Sequence, residues 1–235
     1  MSVTQTKRDE TGRFAGTNCW NCHAAGPGSH FCAACGKIQP LPPDADYFAF
    51  FGLPEKLSLD AAQLETEFHR LSWKLHPDNF VRASEFERDL SLHRSSELND
   101  AYRTLREPIS RVEYLLLCRG LRKEGATKQQ APPELLEEVF ELNESLDQLR
   151  EARSEGADLA ALHEPLGAAQ KNFQEKLGEV DAELAQIGRE WDATRDAGAD
   201  EANRQALLAR LNEVLNRRSY IRNLVASVQK ELTET

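Results

Sequence analysis

No stretch of this 235-residue chain is apolar enough to cross a bilayer: the longest aliphatic run, residues 115–118, falls far short of the roughly 20 residues a membrane helix needs. Residues 1–17 lack an apolar signal core, and Asp9 and Glu10 among Lys7, Arg8 and Arg13 suit a transit peptide poorly, because such peptides are acid-poor. The expectation is a soluble protein of a bacterial-type cytoplasm, with the mitochondrial matrix as the alternative. A glycine-rich phosphate-binding loop is also missing, so no nucleotide site of the chain's own is expected. Basic clusters are absent from the second half. Residues 1–130 carry 17 acidic and 17 basic side chains, whereas 131–235 carry 22 and 12, so the net charge of −10 lies entirely in the second part. Phosphate contact needs clustered Lys and Arg, which excludes a general nucleic-acid surface there and leaves a solvated acidic helical surface as the plain reading.

Cysteine is scarce, but four of the five are grouped. Cys19-Trp20-Asn21-Cys22 and Cys32-Ala33-Ala34-Cys35 are two Cys-x-x-Cys pairs nine residues apart. Four thiolates from two such turns close a tetrahedron around zinc, so one structural zinc is expected over residues 19–40, with iron in the same tetrathiolate as the alternative. The segment has too few apolar residues to fold without metal. Four protein thiolates leave no open coordination position, which argues against catalytic zinc, and the chain is expected not to be an enzyme. His23 and His30 are read as neighbours of the quartet and not as ligands. Cys118, within the aliphatic run, is expected to be buried.

The length exceeds one ordinary domain, so two are expected. In the first, Asp60 can cap a helix with Gln63 completing a capping box, and Leu64, Phe68, Leu71 and Leu75 form one buried stripe. Arg70 and Lys74, with His69 beside them, give the opposite face a positive strip. Pro77 must end this helix and leave His76 and Asp78 on an exposed loop. Phe86, Leu90, Leu98, Ala101 and Leu105 predict an antiparallel partner helix closed by Pro108. Upstream, the aromatic block 47–51 followed by Gly52, Leu53 and Pro54 suits a small helix capping this hairpin.

Beyond a polar, breaker-rich connection at 119–133, Leu135, Val139, Leu142, Leu146 and Leu149 mark the seam of a helix. A second follows through Leu166, Ala169, Phe173, Leu177, Val180, Leu184, Ile187 and Trp191, with Pro165 near its first turn. A third uses Leu207, Leu211, Val214, Ile221, Val225, Val228 and Leu232. Links at 156–158 and 198–200 imply an antiparallel three-helix bundle over 134–235, a dimeric coiled coil being the alternative. Leu136, Phe140 and Glu144 fall on a second stripe off the seam, which a three-helix bundle leaves partly open.

Residues 46–117 resemble a J domain, on His76-Pro77-Asp78 and on Leu98-Asn99-Asp100-Ala101-Tyr102-Arg103-Thr104-Leu105. Asp46-Tyr47-Phe48, Phe51-Gly52-Leu53-Pro54, His76 to Phe80 and Arg111-Val112-Glu113-Tyr114-Leu115-Leu116 narrow the likeness to the HscB family of iron-sulfur cluster co-chaperones. Asn79 departs from it, since Lys or Arg often follows the triplet. Cys-Trp-x-Cys and Phe-Cys-x-x-Cys are similar to a metal-binding extension found on some members of that family.

The resemblance implies an all-α chain: a flexible amino terminus (1–18), a Cys₄ module (19–40), a J-domain hairpin (44–118), a linker and a carboxyl-terminal three-helix scaffold-binding domain. It implies a co-chaperone in iron-sulfur cluster biogenesis that stimulates a heat-shock-70-type (HscA/DnaK-like) ATPase through His76, Pro77 and Asp78. Docking would use His69, Arg70 and Lys74. The scaffold protein (IscU-like) would be held by Leu136, Phe140, Glu141, Glu144 and Tyr220, with burial of Leu136 and Phe140 against the J domain as the competing reading. Glu137 and Asn143 depart from the family pattern. A general J-domain co-chaperone for other clients is the alternative, although a Gly/Phe-rich linker and β-rich client domains are missing.

Overall fold

A computed structural model describes residues 14–28, 30–42, 45–122, 132–196 and 200–233. Most of the expected flexible terminus, most of the 119–133 connection and the Gly198–Ala199 link lie outside these residues. The chain divides into two compact units, Met1–Cys118 and Arg119–Thr235.

The first unit opens on an antiparallel ribbon of β1 (Phe14–Asn18) and β2 (Ala25–Gly28), with Asn18 opposite Ala25 and Thr17 opposite Gly26. This ribbon and an isolated antiparallel bridge between Phe31 and Ile38 are the β-structure among the described residues of an otherwise helical chain. Helices α1 (Tyr47–Phe50), α2 (Ala61–Leu75), α3 (Glu85–Arg106) and α4 (Pro108–Cys118) follow.

Asp60 caps α2 by accepting from the amides of Ala62 (2.9 Å) and Gln63 (3.2 Å), and the stripe Leu64, Leu71, Leu75 is buried. Ser84 caps α3 in a reciprocal box with Glu87, a signature readable as Ser-x-x-Glu. Leu98, Ala101 and Leu105 meet α2 in a core shared with Phe48, Phe50, Phe51, Leu53 and Phe80. Pro108 closes α3 as expected, with Glu107 before it extended at ψ 121, and starts α4 at the position where its missing amide costs least. Arg111, buried on α4, donates to the carbonyls of Leu105 (2.7 Å), Arg106 (3.3 Å) and Leu57, so its guanidinium closes the end of α3. Two of the apolar assignments change. Cys118 is exposed, because Leu115 and Leu116 take the inward face of α4 and Leu117 and Cys118 follow on the outward one. Phe86 is 46% exposed and packs on the cysteine module, not on α2.

The second unit consists of α5 (Leu136–Glu155), α6 (Ala160–Asp196) and α7 (Glu201–Thr233). Gly156 at φ 69 terminates α5 in the left-handed conformation that glycine adopts without strain. The seams meet as expected: Leu142, Leu146, Leu149, Leu166, Phe173, Leu184, Ile187, Trp191, Leu211, Ile221 and Val228 are all buried. Leu208 and Leu215 join them. Helix α6 begins five residues before Pro165, since Asp158 accepts from the Ala160 amide at 3.0 Å and nucleates an earlier turn. Pro165 therefore sits inside the helix and not in its first turn.

Polar clamps set the helix register. Glu231 of α7, buried, accepts from Arg150 Nη2 (2.6 Å) and Arg153 Nη1 (3.2 Å) of α5, and these guanidiniums hold its carboxyl below the usual carboxylate range. Arg218 pairs with Asp181 between α7 and α6.

In the first unit the equivalent lock is Leu75, the last residue of α2. Its carbonyl accepts from the hydroxyls of both Ser91 (2.7 Å) and Ser95 (3.0 Å) of α3. Replacing both serines by alanine leaves a buried acceptor bare and is expected to destabilise the first unit by about 1–3 kcal/mol in urea unfolding. An unchanged midpoint for its transition would show that the serines do not fix the hairpin.

Candidate functional site

The four cysteines converge. Cys19 Sγ lies 3.6 Å from Cys35 Sγ and Cys22 Sγ 3.7 Å from Cys32 Sγ, and all four sulphurs lie within 4.8 Å of one another. A tetrahedron with metal–sulphur bonds of about 2.3 Å has edges of about 3.8 Å, which these spacings match, while a disulfide needs about 2.05 Å.

The two turns repeat one backbone design. In the first, the His23 amide donates to the Cys19 carbonyl (3.0 Å) and the Cys19 amide to the Ala24 carbonyl (3.0 Å). In the second, Gly36 donates to Cys32 (2.9 Å) and Cys32 to Lys37 (2.9 Å). The residue after each pair is left-handed, His23 at φ 59 and Gly36 at φ 71, so the first turn carries strain that glycine removes from the second. The amides of Asn21 (3.4 Å) and Cys22 (3.5 Å) point at Cys19 Sγ.

Thiol acidity reflects this crowding. Desolvation raises Cys19, but the amides of Cys22 and Asn21 and the adjoining sulphurs outweigh it and bring the thiol down to about 6. The Ala24 backbone lowers Cys22, yet desolvation and its three neighbouring sulphurs push it up to about 12. Four thiolates so close repel one another, and a central dication removes that repulsion. The donor set fits a metal ion.

The module is fastened to the helices of the first unit. Trp20 donates from Nε1 to the Ile38 carbonyl (2.7 Å) and meets Phe86 of α3 edge to face at 5.0 Å. Lys37 Nζ reaches Glu87 at 2.9 Å, and Ile38 is fully buried in the core shared by α1, α2 and α3. His30 is not a ligand: Nε2 bonds the Phe50 carbonyl at 2.8 Å, and burial holds the ring down to about 4.

The His76-Pro77-Asp78 triplet lies on a turn of its own after α2. α2 stops at Leu75, and Pro77–Phe80 makes a single 3₁₀ turn. His76 Nδ1 accepts from the Asp78 amide (3.3 Å), the Asn79 amide donates to the His76 carbonyl (3.0 Å), and the Asn79 side-chain amide reaches back to the Trp73 carbonyl (2.7 Å). Phe80 is buried beneath. The side chains of His76 and Asp78 remain 56% and 85% exposed on this braced turn, with Nδ1 of one 3.5 Å from Oδ2 of the other.

On the outer face of α2, His69, Arg70 and Lys74 are exposed as expected, but the helix supplies its own counter-charges. Glu67 grips Arg70 through Nε (2.7 Å) and Nη2, and Glu65 lies 3.9 Å from His69. Trp73, which the periodicity left unassigned, projects from the same face with 80% of its surface exposed.

In the bundle, Leu136 and Phe140 are 54% and 72% exposed, so neither belongs to its core. Glu141 and Glu144 are exposed with them on α5, and Tyr220 lies half-buried on α7. Among the described residues no helix is long and apolar enough to cross a membrane.

No family model matches the chain. Over 170 residues it is 35% identical to a co-chaperone protein HscB homolog of Vibrio vulnificus, covering 72% of this chain and 94% of the relative. It is 34% identical to the iron-sulfur cluster co-chaperone protein HscB of Mus musculus, covering 71% of each. The crystal structure of human co-chaperone protein HscB superposes with a TM-score of 0.61 at 26% identity, over 93% of this chain and 100% of that one. With a metal-competent tetracysteine module, a braced His-Pro-Asp turn and an all-helical body, the chain belongs to the HscB family of co-chaperones.

Proposed function

We propose that this chain serves iron-sulfur cluster biogenesis by coupling a heat-shock-70-type ATPase chaperone to an iron-sulfur scaffold protein, performing no covalent chemistry itself. The observation that carries the reading is the turn after α2. His76 and Asp78 stand out from a backbone fixed by Asn79, Ser91 and Ser95, so a partner that receives them meets a preorganised element and loses little ordering entropy. His69, Arg70 and Lys74 flank the docking face. His76, Pro77 and Asp78 press on the ATPase chaperone and promote hydrolysis.

The bundle holds the cargo. Leu136 and Phe140, one helical turn apart and rimmed by Glu141 and Glu144, are an apolar pair with an acidic border, the make-up of an interface centre with its polar edge. Tyr220 completes this set. Holding the scaffold on the same chain as the J domain raises its local concentration at the chaperone's substrate cleft. The relative from Mus musculus is named an iron-sulfur cluster co-chaperone, which supports a role in that process.

The metal is assigned as zinc, one per chain, bound by Cys19, Cys22, Cys32 and Cys35. Bound by these four thiolates, zinc would tie the two turns together. The chain's residues then transmit that link to α3 through Trp20 and Lys37.

His76→Gln is expected to abolish stimulation of single-turnover ATP hydrolysis while scaffold binding persists; full stimulation by the variant would overturn the role of the turn. Leu136→Ala with Phe140→Ala should weaken scaffold capture by at least about tenfold in calorimetric titration, with helicity unchanged. Elemental analysis should return about one zinc per chain, a coloured iron-loaded preparation overturning the metal assignment. Stripping that metal should lower the melting point of the first unit and spare the bundle.

A further inference from the structure

We infer that Trp73 is the anchor by which this J domain grips its ATPase chaperone, its indole entering an apolar recess beside the surface that receives His76–Asp78. The inference rests on the function proposed above and names the side chain that supplies the affinity.

Trp73 lies in the last turn of α2 and is the most exposed large apolar side chain among the described residues, at 80%. It has no aromatic partner among them, whereas Trp20 packs on Phe86 and Trp191 is 1% exposed. An indole buries on the order of 150–250 Å² when covered, the largest apolar gain one side chain offers. Its main chain is nevertheless fixed, since the Asn79 amide donates to the Trp73 carbonyl at 2.7 Å. The indole and the triplet are thus two ends of one braced turn. A surface that receives one comes against the other.

Charge leaves this task open. The exposed side of α2 carries Glu65 and Glu67 against Arg70 and Lys74, an even balance. Glu67 forms a fork with Arg70, and that pairing holds its carboxyl below the usual range. Glu65 lies 3.9 Å from His69. Asn79 after the triplet is neutral. Lys74 is left as the one strip residue without an ion pair among the described residues, too little to hold an acidic partner against physiological salt. Trp73, three residues from Arg70 and four from His69, occupies the middle of this compensated face. Interfaces concentrate their binding energy in Trp, Tyr and Arg. Here the arginine is already engaged and the tryptophan is free.

The test titrates full-length protein into a purified heat-shock-70-type ATPase chaperone and reads both the half-saturating concentration and the rate at saturation. Trp73→Ala should raise the half-saturating concentration by at least about tenfold, while Trp73→Phe, which keeps an aromatic ring, should stay within about threefold. Wild-type half-saturation should change little between about 50 and about 200 mM salt, and Glu67→Gln, which releases Arg70, should tighten binding and make it salt-dependent. Equal half-saturation for wild type and Trp73→Ala, with circular dichroism showing both folded, would overturn the inference and leave the function of the triplet standing. A wild-type dimer in sedimentation that Trp73→Ala dissolves would overturn it in favour of a second copy as the occupant. No stimulation by wild type at all would instead remove the functional reading, and the anchor with it.

Discussion

The carbonyl groups at the end of α2 need partners at the point where Pro77 forbids further helix, and the first unit is organised around meeting that need. Asn79 reaches back to Trp73, and Ser91 and Ser95 reach across to Leu75. The same bonds that satisfy the helix end fix α3 against α2 and hold the His-Pro-Asp turn at the surface. Exposure and rigidity are usually opposed in a loop. Here the backbone is tied from two helices while His76 and Asp78 point outward.

The bundle answers the same demand with ions. Buried Glu231 unites α7 with α5 through two arginines, and Arg218 binds α6 through Asp181. Apolar seams alone leave long helices free to slide by a turn, because leucines at successive seam positions are nearly equivalent. Paired charges of fixed position break that equivalence.

Much of this was legible in the order of residues. Periodicity located α2, α3 and the three bundle helices, the cysteine spacing located the tetrathiolate, and Asp60 announced its own cap. Three kinds of information were not local. Phe86 has the spacing of a hairpin residue but meets Trp20 and stays 46% exposed, since a period places a side chain on a face of the helix and does not say what covers that face. Cys118 belongs to an apolar run yet lies outward, because only the turns of α4 decide which members of the run face the core. Ser91 and Ser95 read as indifferent helix residues, and their use depends on where the neighbouring helix ends. The even charge of α2 was visible as letters, but the fork between Glu67 and Arg70 appears only with the side chains in place.

Ile38 gives the cysteine module its larger meaning. Three residues past the last cysteine, it has no exposed surface and completes the core formed by Phe48, Leu64 and Leu98. A boundary drawn just before residue 44 would therefore cut through a hydrophobic interior instead of a tether. The cysteine module and the helices that follow it thus share one hydrophobic interior.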